Sequence, residues 1–392
     1  MSSGPHGRPP DLAPPASPAP AVSRDSPAAP APVPADIPPP AAPVSPAAPA
    51  PVPADIPPPA APVSPAAPAP VPADIPRSRA LLALLALAAG YAALRLAMNR
   101  EFEGAPWDEL LAFTAPKPFG LRVLIPLLVW PLHAALRLPI AWIFALVETL
   151  ATAALAACLA RALRPAMPAR WADALGLGFL LLLPIPFLLQ HRWPIFYPYD
   201  TPAMAFTAAG VALVLAERWR AAAALVFCAA LNRESAVLLP FAALALHWPA
   251  SDSPVPKTSL RPLALRSAAL LAAYAAARLA VGLALADNPG APLQFFVDQT
   301  PRLLLNLAWL EEPAHWPLLP AYLGFIPLLW LVLSAWIPPR LRRLGWVALV
   351  YLGALMWVAN IDEPRVYGEP MVLLWIPAAV GLARWLRAGE RA

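Results

Sequence analysis

The chain has 392 residues, of which 59% are hydrophobic and only 13% charged, with a formal net charge of +5. Soluble domains carry about 25% charged residues, so lipid rather than water is expected to solvate most of this sequence. The positive charge does not point to nucleic acid, because the arginines fall in short segments between apolar runs, the cytoplasmic-side pattern of a polytopic membrane protein.

Residues 1–76, under a fifth of the chain, hold 28 of the 58 prolines and no long apolar run. Within them SPAAPAPVPADIPPPAAPV recurs with a period of 19, starting at Ser26 and Ser45, with a truncated copy from Ser64 to Pro76. Proline at this density forbids helices and sheet ladders, so a disordered, extended tail is expected. The tail is either a spacer, a ligand for a proline-binding partner, or a repeat expanded by replication slippage.

Residues 77–392 form the second domain, an all-α integral membrane domain of about nine to eleven segments. Apolar runs near the ~20 residues that span a bilayer lie at 80–98, 140–160, 172–190, 200–216, 221–247, 267–286, 318–337, 344–360 and 371–387. The first is expected to be an anchor helix rather than a cleaved signal, since it follows a long polar stretch. A shorter run, Val123–Leu136, contains Pro126, Pro131 and His133 and reads either as a short span or as a helix lying along the interface. Cys158 and Cys228 both sit inside apolar runs, with neither disulfide nor metal-ligand spacing. The abundance of Ala, Pro and Arg, with only Lys117 and Lys257 as lysines, is the composition of a GC-rich bacterial genome.

Arginine placement decides the topology. Arg77 and Arg79 put the N-terminus in the cytoplasm, and the clusters at 161–170, 218–220, 261–266, 340–343 and 384–391 want the same side. That is satisfied if 123–136 lies flat and 221–247 enters and leaves one face as two half-helices broken at Asn232-Arg233-Glu234-Ser235. An Arg at the centre of a bilayer helix costs roughly 2.5–3.5 kcal/mol even on lenient scales. The interruption therefore reads as a buried polar site, or else as an Arg–Glu pair locking two helices. Four segments then face the exterior, 99–121, 190–200, 287–317 and 360–370, and these hold 12 of the 18 acidic residues beyond residue 76.

Four motifs stand in this order: Pro118-Phe119-Gly120-Leu121-Arg122-Val123-Leu124-Ile125-Pro126, Tyr197-Pro198-Tyr199-Asp200-Thr201-Pro202, Leu231-Asn232-Arg233-Glu234-Ser235, and Asn360-Ile361-Asp362-Glu363-Pro364-Arg365-Val366-Tyr367. Together they resemble bacterial membrane proteins of the GT-C glycosyltransferase type over roughly residues 80–387. The resemblance implies transfer of a sugar from a polyprenyl-phosphate donor to an acceptor at the outer face of the inner membrane. It implies an acid in the first external loop acting as general base or metal-associated carboxylate, for which Asp108 and Glu109 are the candidates. They stand as a pair after Trp107 rather than as a lone Asp, which leaves open which of them acts. The second acid of the pattern falls on Asp200.

The chemistry suits these residue types. An oxocarbenium-like transition state needs a carboxylate to deprotonate the acceptor and cations to hold the departing phosphate. Arg122, Arg233 and Arg365 could give bidentate phosphate contacts, with Tyr199, Asn232, Glu234 and Glu363 completing the substrate site and Glu234 orienting Arg233. A divalent cation bridging phosphate and carboxylate is compatible with this, though no zinc spacing exists among the histidines. Asp200 could instead cap the helix beginning at Thr201-Pro202, and Arg365 could form a surface pair with Glu363 or Glu369. Two other classes remain: a transporter or flippase with Arg233 and Glu234 lining the substrate path, and a non-catalytic membrane subunit. Neither a phosphate-binding GxxxxGK[ST] loop nor a GxGxxG turn occurs.

Overall fold

The computed structural model describes residues 77–189, 194–249 and 260–390; the Pro-rich repeats, with His191, Arg192 and Lys257, lie outside them. What is described is mostly helical. Six helices are long and apolar enough to cross a membrane: Ser78–Met98, Ile140–Leu163, Ala169–Phe187, Leu260–Ala284, Pro339–Val358 and Pro364–Gly389. Such helices are those of a multi-pass membrane protein.

In chain order the helices are α1 (Arg77–Met98), α2 (Trp107–Leu111), α3 (Leu124–Leu136), α4 (Ile140–Leu163), α5 (Ala169–Gly178) and α6 (Pro184–Phe187). Then come α7 (Asp200–Leu215), α8 (Trp219–Asn232), α9 (Leu238–His247), α10 (Leu260–Ala284) and a two-residue hairpin, β1 (Phe296–Val297) and β2 (Thr300–Pro301). Last are α11 (Arg302–Glu311), α12 (Leu318–Tyr322), α13 (Ile326–Val332), α14 (Pro339–Val358) and α15 (Gly368–Gly389). Pro139, Pro168 and Pro338 stand just before α4, α5 and α14, where a missing N–H costs nothing because the first helical donors have no partner.

Side-chain contacts sort the helix ends into two groups. At one end the rings of Trp219 and His247 lie 5.0 Å apart, Arg266 sits 5.0 Å over Trp219, and Arg340 donates to the carbonyl of Leu246 at 2.8 Å. The start of α8, the end of α9 and the starts of α10 and α14 therefore coincide, amid the arginine clusters. At the other end Asn232 donates to the Tyr199 carbonyl, Glu234 meets Arg122, and Ser235 donates to Glu369. Segment 219–247 is thus a hairpin whose two arms begin and finish at the arginine-rich end, as the charge pattern predicts.

The hairpin differs from expectation in where it breaks. Arg278, near the C-terminal end of α10, donates to the carbonyl of Ala230 at 3.1 Å. The break therefore lies close to the far end of the long helices rather than at their middle. Arg278 also supplies a donor to α8 where its last carbonyls lack helical partners. Arg233 is extended, with φ −160° and ψ 148°. Gly210 makes the α9 arm possible, because a Cβ there would come within 2.4 Å of Leu239.

Helix α3 buries one face. Its buried residues Ile125 and Val129 pack with Ile143, Phe144 and Phe196, and it returns through Arg137, at φ 54°, to the start of α4. The predicted span 318–337 is bent instead of straight: Pro313–Tyr322 and Ile326–Val332 meet at 78°. Gly324 and Phe325 take left-handed φ of 60° and 56° between them. Run 200–216 is the 16-residue α7, about 24 Å long and short of a full crossing by itself.

Candidate functional site

Two polar networks meet at the end away from the arginine clusters. The deeper one begins with Arg95, fully buried on α1, which donates to Glu148 of α4 at 2.6 Å and to Thr201 of α7 at 2.7 Å. Thr201 also donates to Glu148, and Arg95 lies 3.7 Å from Asp200. Asp200 then accepts from Arg233 at 3.1 Å, and Arg233 reaches Glu369 at 3.4 Å. Ser235 holds that same Glu369 oxygen. Four helices and the hairpin tip are joined through groups that are all almost fully buried.

The shallower network lines a cavity of about 720 Å³. Arg122 grips Glu234 with two hydrogen bonds, 3.2 and 2.5 Å. Arg365 bonds Glu363 at 2.7 Å and stacks 3.8 Å over the Tyr197 ring. Phe119 and Tyr197 are stacked at 5.8 Å, and Phe102 packs on both, so one wall is aromatic. Arg302 closes the opposite side, bonded to Gln294 and to Asn360, both uncharged. Burial lowers the Arg302 pKa from its ordinary value. For Glu363 burial acts upward, but Arg365 and the hydrogen bond from Asn360 hold the carboxyl below the usual carboxylate value.

Four guanidinium groups, Arg122, Arg233, Arg302 and Arg365, face this cavity against two carboxylates, Glu234 and Glu363. Nη1 of Arg122 is buried and without a hydrogen-bond partner among the described residues. A buried guanidinium N–H without a partner is a rare and costly group in a folded protein. From the cavity an apolar groove of about 500 Å³ runs between α9 and α14; Val237, Tyr351 and Ala354 line both.

The structure brings Arg122, Arg233, Glu234, Glu363 and Arg365 onto one cavity. Tyr199 and Asn232 stand behind it, fully buried and joined by a 2.9 Å hydrogen bond. Asp200 is 1% exposed and is not among the cavity-lining residues. It makes no cap: α7 has Tyr199 at the N-cap and no side-chain cap hydrogen bond, because the carboxylate is taken up by Arg233. Asp108 and Glu109 are exposed in the first turn of α2 and do not line the cavity. Glu234 does not orient Arg233. The two neighbours send their side chains to different partners, as the extended backbone at Arg233 dictates, since successive side chains on extended chain point oppositely. Arg365 does choose Glu363, and Glu369 belongs to the deep network.

Sequence reading gave no site role to Arg95, Glu148, Gln294, Arg302 or Asn360. The signal for the first two was present, since an ionisable residue inside an apolar run is by default part of a polar site. Arg302 carried none, being one of several charges in a long loop. Among the described residues no three His, Cys, Asp or Glu side chains converge as a metal site would require. No protein-family model, no curated protein and no solved structure matches the chain.

Proposed function

We propose that this chain is a multi-pass protein of a bacterial inner membrane, its N-terminus cytoplasmic, that moves a sugar from a polyprenyl-phosphate carrier to an acceptor at the outer face. The observation that carries this reading is the continuity of the arginine-lined cavity with an apolar groove. An amphiphile with an anionic head and a long hydrocarbon tail is the ligand such a pair of spaces fits. The segregation of arginines to the opposite end supports the orientation.

In the proposed reaction the acceptor hydroxyl attacks the anomeric carbon and the bond from that carbon to the phosphate oxygen breaks. The electron pair leaves with the carrier phosphate, where Arg122, Arg302 and Arg365 offset the charge. The acceptor proton passes to a carboxylate. Within the cavity Glu234 and Glu363 are in reach of that role; Asp108 and Glu109 are the candidates on the acceptor side, and Asp200 holds Arg233 from behind. The aromatic wall of Phe102, Phe119 and Tyr197 suits the apolar face of a sugar ring.

The test is turnover of a radiolabelled polyprenyl-phosphate sugar by the purified chain in liposomes. Release of the free carrier phosphate by the wild type, lost in Arg365→Ala and Arg122→Ala, is expected; no release under any acceptor would sink the reading. The hairpin 219–247 favours a second reading, since broken helices beside a cavity also build transport pathways. Carrier crossing the liposome without sugar release, and lost in Arg233→Ala, would select it.

A further inference from the structure

Helix α11 is inside out by the standard of a water-soluble protein. Its polar residues point inward: Arg302 is 8% exposed over the cavity, and Asn306 is 4% exposed. Asn306 donates to the carbonyls of Met356 and Ala359 at 2.9 and 2.7 Å and accepts from the amide of Ile361, capping the end of α14. Its leucines point outward: Leu304, Leu305 and Leu307 are 55%, 40% and 44% exposed. Just before the helix Phe296 of β1 is 62% exposed, and just after it Trp316 is 61% exposed. A surface helix in water turns its apolar stripe to the core, and leaving this face in water forfeits about 25 cal/mol per Å².

Two further observations say what covers that face. No charged residue occurs from Leu303 to Leu310; the first ones beyond the helix body are Glu311 and Glu312, both exposed at its C-terminal edge. Helix α11 also packs against α14, a helix long enough to cross a membrane, whose Trp346, Val350 and Trp357 are likewise exposed. At ten residues α11 is about 15 Å long, half the hydrocarbon thickness, so it cannot cross.

We propose that α11 and the β1–β2 hairpin lie in the outer leaflet, with the leucine face in the acyl boundary and Glu311 and Glu312 at the headgroups. The partner is the lipid surface, and the segment read from sequence as a polar external loop is a membrane-inserted roof. Arg302 and Gln294 are then held over the cavity from the lipid side, so the cavity opens sideways into the leaflet. The inference rests on the membrane reading and not on glycosyl transfer.

The experiment uses the full chain in phosphatidylcholine–phosphatidylglycerol liposomes, with Cys158→Ala and Cys228→Ala as background. Leu305→Cys, Leu307→Cys, Glu311→Cys and Val350→Cys are labelled singly with a bimane probe or a water-soluble maleimide. Leu305→Cys and Leu307→Cys are expected to react with the maleimide about fivefold slower than Glu311→Cys, and their bimane to be quenched by lipids carrying shallow spin labels. Val350→Cys should be quenched by deeper labels. Equal maleimide rates at 305, 307 and 311 would overturn the proposal. So would protection from both maleimide and lipid quencher, the outcome for a protein partner or second copy. Water access at Val350→Cys as well would overturn the membrane reading beneath it. Because no readout uses activity, an inactive enzyme leaves the outcome intact.

Discussion

The two arginine–carboxylate networks use the same chemistry in opposite ways. In the deep one, Arg95, Glu148, Asp200, Arg233 and Glu369 have side chains no more than 6% exposed. Along the cavity, Glu234 and Glu363 keep 30% and 34% of their side-chain surface open. Taking a charge fully out of water costs several kcal/mol, which only a well-placed partner offsets. The deep pairs therefore bind helices to one another, and removing one partner strands the other. Along the cavity a carboxylate released by loss of its arginine turns to water, so that deletion costs less stability and instead changes what can bind.

Substitutions that break this contrast can be ordered by size. Glu148→Ala strands Arg95 and should lower stability by about 3–5 kcal/mol, read as the thermal midpoint in detergent. The double variant Arg95→Met/Glu148→Gln should recover most of that loss; no recovery would mean that the pair does not act as a unit. Asp200→Asn keeps the shape, and Arg233 still has Glu369, so a loss of about 1–3 kcal/mol is expected. Turnover should fall further than stability if Arg233 needs Asp200 for its position.

Next comes the cavity mouth of the groove. Ala354→Trp fills a place shared by both spaces, and its exposed position makes the stability change small. Binding of a polyprenyl phosphate should weaken about tenfold, a factor worth about 1.4 kcal/mol, while a short water-soluble sugar phosphate should bind as before.

The smallest effect is a matter of pH. Glu363 is held below its ordinary value of 4.5, and a group whose folded pKa is depressed stabilises the fold above its unfolded value. That contribution is lost as pH falls from about 4.5 through the folded value. Glu363→Gln should remove this part of the acid limb and leave the midpoint at neutral pH nearly unchanged; an identical acid limb in variant and wild type would refute the pairing.

Much of the fold was legible in the sequence because hydrocarbon imposes a length and arginine imposes a side. Those two rules placed the six long helices and required 219–247 to return to the end it left. They failed at 318–337, where the bend at Gly324–Phe325 leaves the apolar count intact. They gave α11 no place in the bundle, because its leucines were too few for a span and its charges suggested water.

The candidate site was legible only as separate motifs. Cost in lipid marked Arg233 and Glu234, and ordered motifs marked Arg122, Asp200, Glu363 and Arg365; each mark belongs to one residue or motif alone. Which charge meets which is decided by packing: the extended residue at 233 divides two sequence neighbours between different networks, and α1 and α4 bring Arg95 and Glu148 together from 53 residues apart. The sequence by itself determined that this chain must hide charges among apolar helices. Only the tertiary structure decided which of them are locked inside and which stand open around a cavity, because burial belongs to neighbours in space and not to neighbours in the chain.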